Sequence, residues 1–279
     1  MLNLDDFIKL ALEEDIGTAD YTSQACIPSN AIGKAKLLVK DNGIAAGVAL
    51  AERIFHVVDP LLNVTVQKQD GDEILKGDIL LLVAGRSQSI VTAERLVLNC
   101  VQRMSGIATL TSLYVNQLKG LKTKLLDTRK TTPLFRQMEK WAVRIGGGYN
   151  HRFGLFDMMM IKDNHIDYSG GIKKAIHKAR EFSEKNQLSL KIEIETRSLK
   201  EVNEVLETGG VDRIMLDNFE IPDLETAVKI IGGIIETEAS GGITIDTIRS
   251  YALTGVDFIS CGAITHSALN LDLSLKALD

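Results

Sequence analysis

After Gly120 the chain settles into a rhythm that few folds accommodate. Short apolar runs recur at residues 124–127, 158–162, 191–195, 213–217, 235–239 and 258–261, and each closes on polar or charged residues. Helical patterns fill the gaps, at residues 172–182, 199–208, 224–230 and 245–253. Apolar runs of this length read as strands buried on both faces, the environment of a parallel sheet covered by helices. The alternation predicts an α/β barrel or a doubly wound sheet. Polar residues gather just after the strands: Arg129 and Lys130, Asp163, Glu195 with Thr196, Asp217 with Asn218, Ser240 with Gly241-Gly242, and Gly262. Either architecture carries its active site along that edge. Such residues follow nearly every strand rather than one switch point, which favours the barrel.

The first 85 residues have another grain. Residues 3–14 have helical spacing, and 36–40, 64–67 and 79–83 read as strands. A helix over 50–58 stops before Asp59-Pro60, because a residue preceding proline is pushed out of the helical region. This mixture predicts a small α+β domain. Residues 89–118 carry a helical pattern interrupted by Gly106, so a long or broken helix is expected to join two domains. A chain of 279 residues suits that number, at ~100–200 residues per domain. No apolar run approaches the ~20 residues of a membrane helix. The acidic N-terminal segment lacks the features of a secretory signal or transit peptide, so the cytoplasm is the expected compartment and no membrane partner is expected. Cys26, Cys100 and Cys261 are scattered and odd in number, which argues against a disulfide framework or a zinc site. A net charge of −5 and few aromatic residues make nucleic acid an unsuitable partner.

Against that acidic background, residues 127–165 concentrate Arg129, Lys130, Arg136, Lys140, Arg144, His151, Arg152 and Lys162. A focused cationic cluster suits a small ligand with several negative charges. Arg136, Lys140 and Arg144 read as the charged face of a helix. Thr128-Arg129-Lys130 and His151-Arg152 do not, since they sit beside a strand and a glycine run.

The stretch Glu-Ala-Ser-Gly-Gly-Ile-Thr (238–244) follows a strand and is expected to open a helix. Ser240, Gly241 and Gly242 could present N–H groups and a hydroxyl to a phosphate, or form a plain turn. The next strand ends in Ser260-Cys261-Gly262-Ala263. Two adjacent glycine-bearing loops near the end of a barrel match the usual phosphate site of such folds. Glu195 and Asp217 end successive strands and could hold Mg²⁺ partly through water, bind ribose hydroxyls, or pair with nearby bases. Lys162 emerges from an apolar strand as a Schiff-base nucleophile or an anion ligand. His151 and His165 are candidate acids or donors to a carboxylate, while His56, His177 and His266 read as structural. Together these pieces suit phosphoribosyl transfer from phosphoribosyl pyrophosphate to an acidic aromatic acceptor.

The chain closely resembles the nicotinate-nucleotide pyrophosphorylases (carboxylating), also called quinolinate phosphoribosyltransferases. The resemblance runs through ALEEDIG (11–17), NCVQRMSGIAT (99–109), DTRKTTP (127–133), GGGYNHR to IKDNH (146–165), EIET (193–196), LDNF (216–219), EASGGI (238–243) and SCGAITHSA (260–268). It implies conversion of quinolinate and phosphoribosyl pyrophosphate to nicotinate mononucleotide, CO₂ and pyrophosphate, in NAD synthesis, with Mg²⁺ as cofactor. It implies an N-terminal α/β sandwich domain over 1–106, with the tail 267–279 packing on it. Residues 107–266 would form an incomplete, about seven-stranded α/β barrel of the type II phosphoribosyltransferase kind. It also implies a head-to-tail homodimer, or a hexamer built from it, in which Arg103 reaches the partner's site. Carried over by motif, Thr128, Arg129, Lys130, His151, Arg152 and Lys162 surround the quinolinate carboxylates and nearby phosphates. Glu195 and Asp217 face ribose and Mg²⁺-pyrophosphate, and with Lys130 and Lys162 they form the catalytic set. Ser240, Gly241, Gly242, Ser260 and Gly262 hold the 5′-phosphate.

Two departures leave local loop conformation open. Thr18-Ala19-Asp20 stands where relatives have a glycine-containing turn, and Leu134-Phe135 replaces Gly-Leu after Pro133. Three rivals remain. One is a phosphoribosyltransferase-like paralogue, of the kind associated with molybdenum transport operons, against which the complete NHR and IKDNH motifs argue. A Schiff-base barrel lyase would use Lys162. A non-catalytic phosphosugar-binding protein has no need of the Glu195/Asp217 pair.

Overall fold

The structure, a computed structural model, describes residues 3–278. Met1, Leu2 and Asp279, at the ends of the expected N-terminal domain and of the tail assigned to it, lie outside the described residues. The chain divides into two units. One comprises Met1–Leu110, Gln137–Gly146 and Ala268–Asp279, the other Thr111–Arg136 and Gly147–Ser267.

The first elements in chain order are α1 (Leu4–Ile16), α2 (Tyr21–Cys26), β1 (Ile32–Val39), β2 (Gly43–Ile44) and α3 (Val48–Val58). They are followed by β3 (Asn63–Val66), β4 (Glu73–Ile74), β5 (Ile79–Arg86) and α4 (Ser87–Gln117). Then β6 (Lys124–Leu126) opens the second unit, and α5 (Arg136–Ile145) returns almost wholly to the first. The second unit continues with β7 (Met159–Ile161), α6 (Asp163–Ser169), α7 (Ile172–Lys185), β8 (Ile192–Thr196) and α8 (Leu199–Thr208). It ends with β9 (Arg213–Asp217), α9 (Ile221–Ile231), β10 (Glu236–Ser240), α10 (Ile248–Leu253), β11 (Phe258–Ser260) and α11 (Ala263–His266). Finally β12 (Leu273–Leu278) closes the chain in the first unit.

In the first unit an antiparallel sheet runs β12-β1-β5-β3. Alternate residues Ala35, Leu37 and Val39 of β1 face inward, as the period of two in a strand requires. They join Leu81 and Val83 of β5 and Leu50, Ile54 and Phe55 of α3 among the buried residues. The C-terminal tail enters this sheet as β12, in register from Lys34↔Leu278 to Val39↔Leu273. The segment Gln137–Gly146 also belongs here, although the sequence placed it in the barrel. Buried Glu139 of α5 bonds Arg103 of α4 within this unit, an attachment with no local signature. The helix α4 is not broken at Gly106. A glycine inside a helix costs about 1 kcal/mol against alanine. Here it is required by close approach, since a Cβ would lie 2.0 Å from the Leu269 carbonyl oxygen. Gly17, at φ 55, caps α1, and the Asp20 carboxylate caps α2 by accepting the Ser23 N–H. The departure at Thr18-Ala19 is thus spanned by two ordinary caps.

The second unit is a parallel sheet ordered β6-β11-β10-β9-β8-β7. The first strand pairs with the last and the others follow in chain order, which is an α/β barrel opened along one seam. Six strands are regular; the expected seventh shrinks to a single bridge, Tyr149 to Leu126 beside β6. The glycines before Tyr149 explain this, because Gly146-Gly147-Gly148 has no side chains to pack and Gly147 turns at φ 87. Among the described residues no helix is long and apolar enough to cross a membrane.

Candidate active site

Parallel strands deliver all their C-terminal ends to one rim, and their alternate side chains point into the barrel. Register places Glu193 beside Arg213 and Glu195 beside Met215. It also places Glu236 beside Arg213, Glu238 beside Met215, and Ser240 beside Asp217. The inward residues of β8, β9 and β10 therefore stack in layers. Arg213 and Glu236 lie lowest, Met215 and Glu238 next, and Asp217 and Ser240 at the rim. The rim opens into a cavity of about 910 Å³.

One wall of the cavity is cationic: Arg129, Lys130, His151, Arg152 and Lys162. Asp127, fully buried after β6, anchors this wall by accepting the His151 backbone N–H at 2.8 Å and the Asn150 amide at 2.6 Å. Burial, and then the like charge of Arg129, lower the Arg152 pKa, so two guanidinium groups repel one another across a space suited to an anion. Lys130 is tied to the neighbouring strand end, because its carbonyl accepts the Thr265 hydroxyl, just after β11, at 2.9 Å. The Lys162 ammonium pairs with Glu195.

The lining continues with Ser240, Gly241, Gly242, Ser260 and Gly262. Gly241 has φ 100, and a Cβ there would meet the Asn218 side-chain oxygen at 2.2 Å, so only glycine fits. Asn218 itself holds φ 57 and donates its N–H to the Ser240 carbonyl at 2.8 Å. At Gly262 a Cβ would crowd Lys130 Cδ at 2.9 Å. Missing side chains let a ligand approach the backbone, the arrangement used for phosphates. The expected helix start directly after Ser240 is not there: α10 begins only at Ile248. Gly241 and Gly242 both adopt positive φ, which cannot continue into a right-handed helix.

Beneath the cationic wall lies a buried ionic layer. His151 Nε2 is 2.9 Å from Glu193 Oε2 and 3.3 Å from Glu238 Oε2. Arg213 donates to Glu238 at 2.9 Å and to Glu236 at 3.1 Å, with its guanidinium 4.0 Å from the Phe258 ring centre. Burial and the neighbouring Glu238 push Glu193 up. Burial also pushes Glu238 up, but His151, Ser260 and Arg213 outweigh it and hold it below the usual range. The ligand atoms of His151, Glu193 and Glu238 lie within 4.8 Å of one another, a spacing compatible with a metal ion. Arg213 already supplies positive charge there, which makes an ion pair network the better fit.

The residues expected from sequence to form the site line this cavity, except Arg103 and His165. Arg103 belongs to the first unit, where it donates to Glu139 and to the Ala268 carbonyl at 2.8 Å. His165 does not line the cavity; its Nδ1 accepts the Lys162 backbone N–H at 2.9 Å and fixes the start of α6. His266, read from sequence as structural, does line it. Sequence reasoning passed over Glu193 and Glu238 as well. Their signal was available: each stands two residues before a rim residue, on the same strand face.

An open α/β barrel with cations and a glycine-built phosphate cradle around one cavity defines a class: enzymes that act on phosphorylated, acidic small molecules at the strand ends. Comparison with known proteins narrows it. The model of the quinolinate phosphoribosyl transferase C-terminal domain matches residues 107–276, and that of the N-terminal domain matches residues 20–105. A Nicotiana tabacum quinolinate phosphoribosyltransferase (decarboxylating) 1b is 48% identical over 289 residues, covering 98% of this chain and 82% of its own. A probable nicotinate-nucleotide pyrophosphorylase (carboxylating) of Bacillus subtilis is 42% identical, covering 94% and 89%. The crystal structure of NadC from Streptococcus pyogenes superimposes with a TM-score of 0.92 at 40% identity, covering 99% and 97%. The chain belongs to the quinolinate phosphoribosyl transferase family.

Proposed function

We propose that this protein transfers the phosphoribosyl group of phosphoribosyl pyrophosphate to quinolinate, with decarboxylation, as a nicotinate-nucleotide pyrophosphorylase (carboxylating) of NAD biosynthesis. The observation that carries this reading is the pairing of Arg129, Lys130, Arg152 and Lys162 with the Gly241-Gly242 cradle around one cavity. Quinolinate is a dianion, and planar guanidinium groups are the better bidentate partners for its carboxylates. Ser240, Gly241, Gly242, Ser260 and Gly262 take the 5′-phosphate. With the sugar fixed at that end, the acceptor nitrogen meets the anomeric carbon as pyrophosphate departs. Charge on the departing group is met by the cationic wall. The new N–C bond leaves the ring nitrogen positive. Loss of CO₂ then sends its electron pair into the ring, and a proton takes the vacated carbon. Lys130 and Lys162 lie where they can offset the charge that builds during this step.

Glu195 and Asp217 offer hard oxygen ligands at neighbouring strand ends, a donor set that fits Mg²⁺ completed by water and phosphate oxygens. When bound, Mg²⁺ would neutralise charge on the leaving pyrophosphate. We read the working form as a homodimer in which Arg103 serves the partner's site. Its position on α4 and the family motif NCVQRMSGIAT support this. A mixed dimer of Arg103→Ala and Lys162→Ala subunits then regains one working site, whereas no recovery assigns Arg103 to its own subunit.

Calorimetry tests the acceptor assignment. Quinolinate binds at least about tenfold more tightly than nicotinate, since losing one charged hydrogen-bond partner costs roughly 1.5–3 kcal/mol. Equal affinities would contradict the dicarboxylate reading.

A further inference from the structure

We propose that Glu193 is a positioning residue for acceptor binding, which from inside the barrel holds the His151 ring and, through it, Arg152. The inference rests on the quinolinate reading of the cavity.

Glu193 and Glu238 are completely buried on neighbouring layers of β8 and β10, whose other buried residues are the uncharged Ile192, Ile194, Thr196, Thr237 and Ala239. Apolar residues at such positions are as stable as an ion pair or more so, so stability does not explain these charges. Their geometry does. Glu193 stands two residues before Glu195 on β8, on the same inward face, and so reaches the barrel axis directly below the rim. There His151 meets it at 2.9 Å. The other ring nitrogen of His151 receives the Arg152 backbone N–H at 2.7 Å. The imidazole therefore spans from the barrel interior to the backbone of the neighbouring arginine. His151 and Arg152 sit in a loop without regular secondary structure, after three successive glycines. That loop is fixed by Asp127, which follows β6, by the Arg152 guanidinium donating to the Met158 carbonyl at 3.3 Å, and by the carboxylates beneath the ring. Glu238 shares its charge with Arg213, whereas Glu193 has the closer contact with His151. Arg213 keeps both Glu236 and Glu238 when Glu193 is neutralised, so the substitution leaves the rest of the layer paired.

The test is steady-state kinetics of Glu193→Gln against the wild type, with each substrate varied in turn. The expected result is a rise of about tenfold in KM for quinolinate, with KM for phosphoribosyl pyrophosphate within about twofold. In a His151→Ala background Glu193→Gln adds nothing further, because its effect passes through the ring. Unchanged quinolinate KM, an equal rise in both KM values, or additive losses with His151→Ala would each overturn the proposal. A transition metal bound in stoichiometric amount by the wild type and lost in Glu193→Gln would also overturn it, assigning the cluster to the metal. If Glu193→Gln does not fold, Glu193→Asp, which keeps the charge but withdraws it from the ring, is read the same way. Absence of any turnover of quinolinate by the wild type would defeat the functional reading itself, whereas a working wild type with an unaffected variant defeats only the role of Glu193.

Discussion

The Lys162 ammonium and the Glu195 carboxylate pair across the ends of the neighbouring strands β7 and β8. Each side chain is thereby held at the rim before any ligand arrives, with Lys162 43% exposed and Glu195 15% exposed. Such a partly exposed pair adds only about 0–1 kcal/mol to stability, so its removal spares the fold. Lys162→Ala is expected to lower turnover by about 10²–10³-fold or more while leaving circular dichroism and the thermal midpoint nearly unchanged. Full activity in this variant would remove Lys162 from the site. The same assay applies to Arg129→Ala.

Gly241 is the position where backbone shape and ligand grip coincide. A side chain there meets both φ 100 and the Asn218 oxygen. Gly241→Ala is predicted to destabilise the protein by about 1–3 kcal/mol. It should also raise KM for phosphoribosyl pyrophosphate more than KM for quinolinate. Denaturant titration and initial rates measure both effects, and a neutral result in both would mean that the loop repacks freely.

The charge on His151 has a signature in pH. Burial opposes it, but Glu193 and Glu238 outweigh burial and push the pKa up to about 9. Protonation at Nδ1 breaks the contact accepted from the Arg152 N–H, so the link from Glu193 through the ring to Arg152 is complete only in the neutral form, above the folded pKa, where the Glu193→Gln kinetics are read. A folded-state pKa above the unfolded value of about 6.5 stabilises the fold fully below about pH 6.5, and the gain fades as pH rises through the folded value. The stability of wild type over His151→Gln should therefore shrink between about pH 6.5 and 9.5 in chemical denaturation. A difference that grows over this window would show that the ring stays neutral.

Leu134 occupies the left-handed region, at φ 61, a conformation that glycine adopts without strain. Its side chain is 80% exposed and gains little from packing. The left-handed conformation costs an L-residue about 1–2 kcal/mol, and glycine loses about 0.5–1 kcal/mol more on folding than alanine. Leu134→Gly is accordingly predicted to gain roughly 0.5–1 kcal/mol, read from the denaturation midpoint. A loss of stability would mean that the leucine makes contacts which outweigh its strain.

Much of this molecule is legible in its sequence, for a physical reason. Rim residues directly follow buried apolar runs, so Glu195, Asp217, Ser240 and Gly262 announce themselves. The helix α4 and the core strands of both units follow from periodicity alone. What escaped notice depends on long-range pairing. The tail was expected on the first domain, but not as the strand β12, whose partner lies more than two hundred residues away, and α5 joins the first unit through the Arg103–Glu139 pair. Gly106 looks like a helix break until Leu269 is seen against it. Glu193 and Glu238 hide because charged residues inside strands suggest solvent-facing positions, when they point into the barrel. The glycines after Ser240 suggested a helix start, when their positive φ makes a loop.

The central claim is carboxylating transfer to quinolinate, and one assay meets it head on. Purified protein is given phosphoribosyl pyrophosphate, Mg²⁺ and either quinolinate or nicotinate, and mononucleotide and CO₂ are followed together. The account predicts mononucleotide from quinolinate with one CO₂ per product, no product from nicotinate, and no turnover once Mg²⁺ is chelated. Mononucleotide from nicotinate, or none from quinolinate, would contradict it.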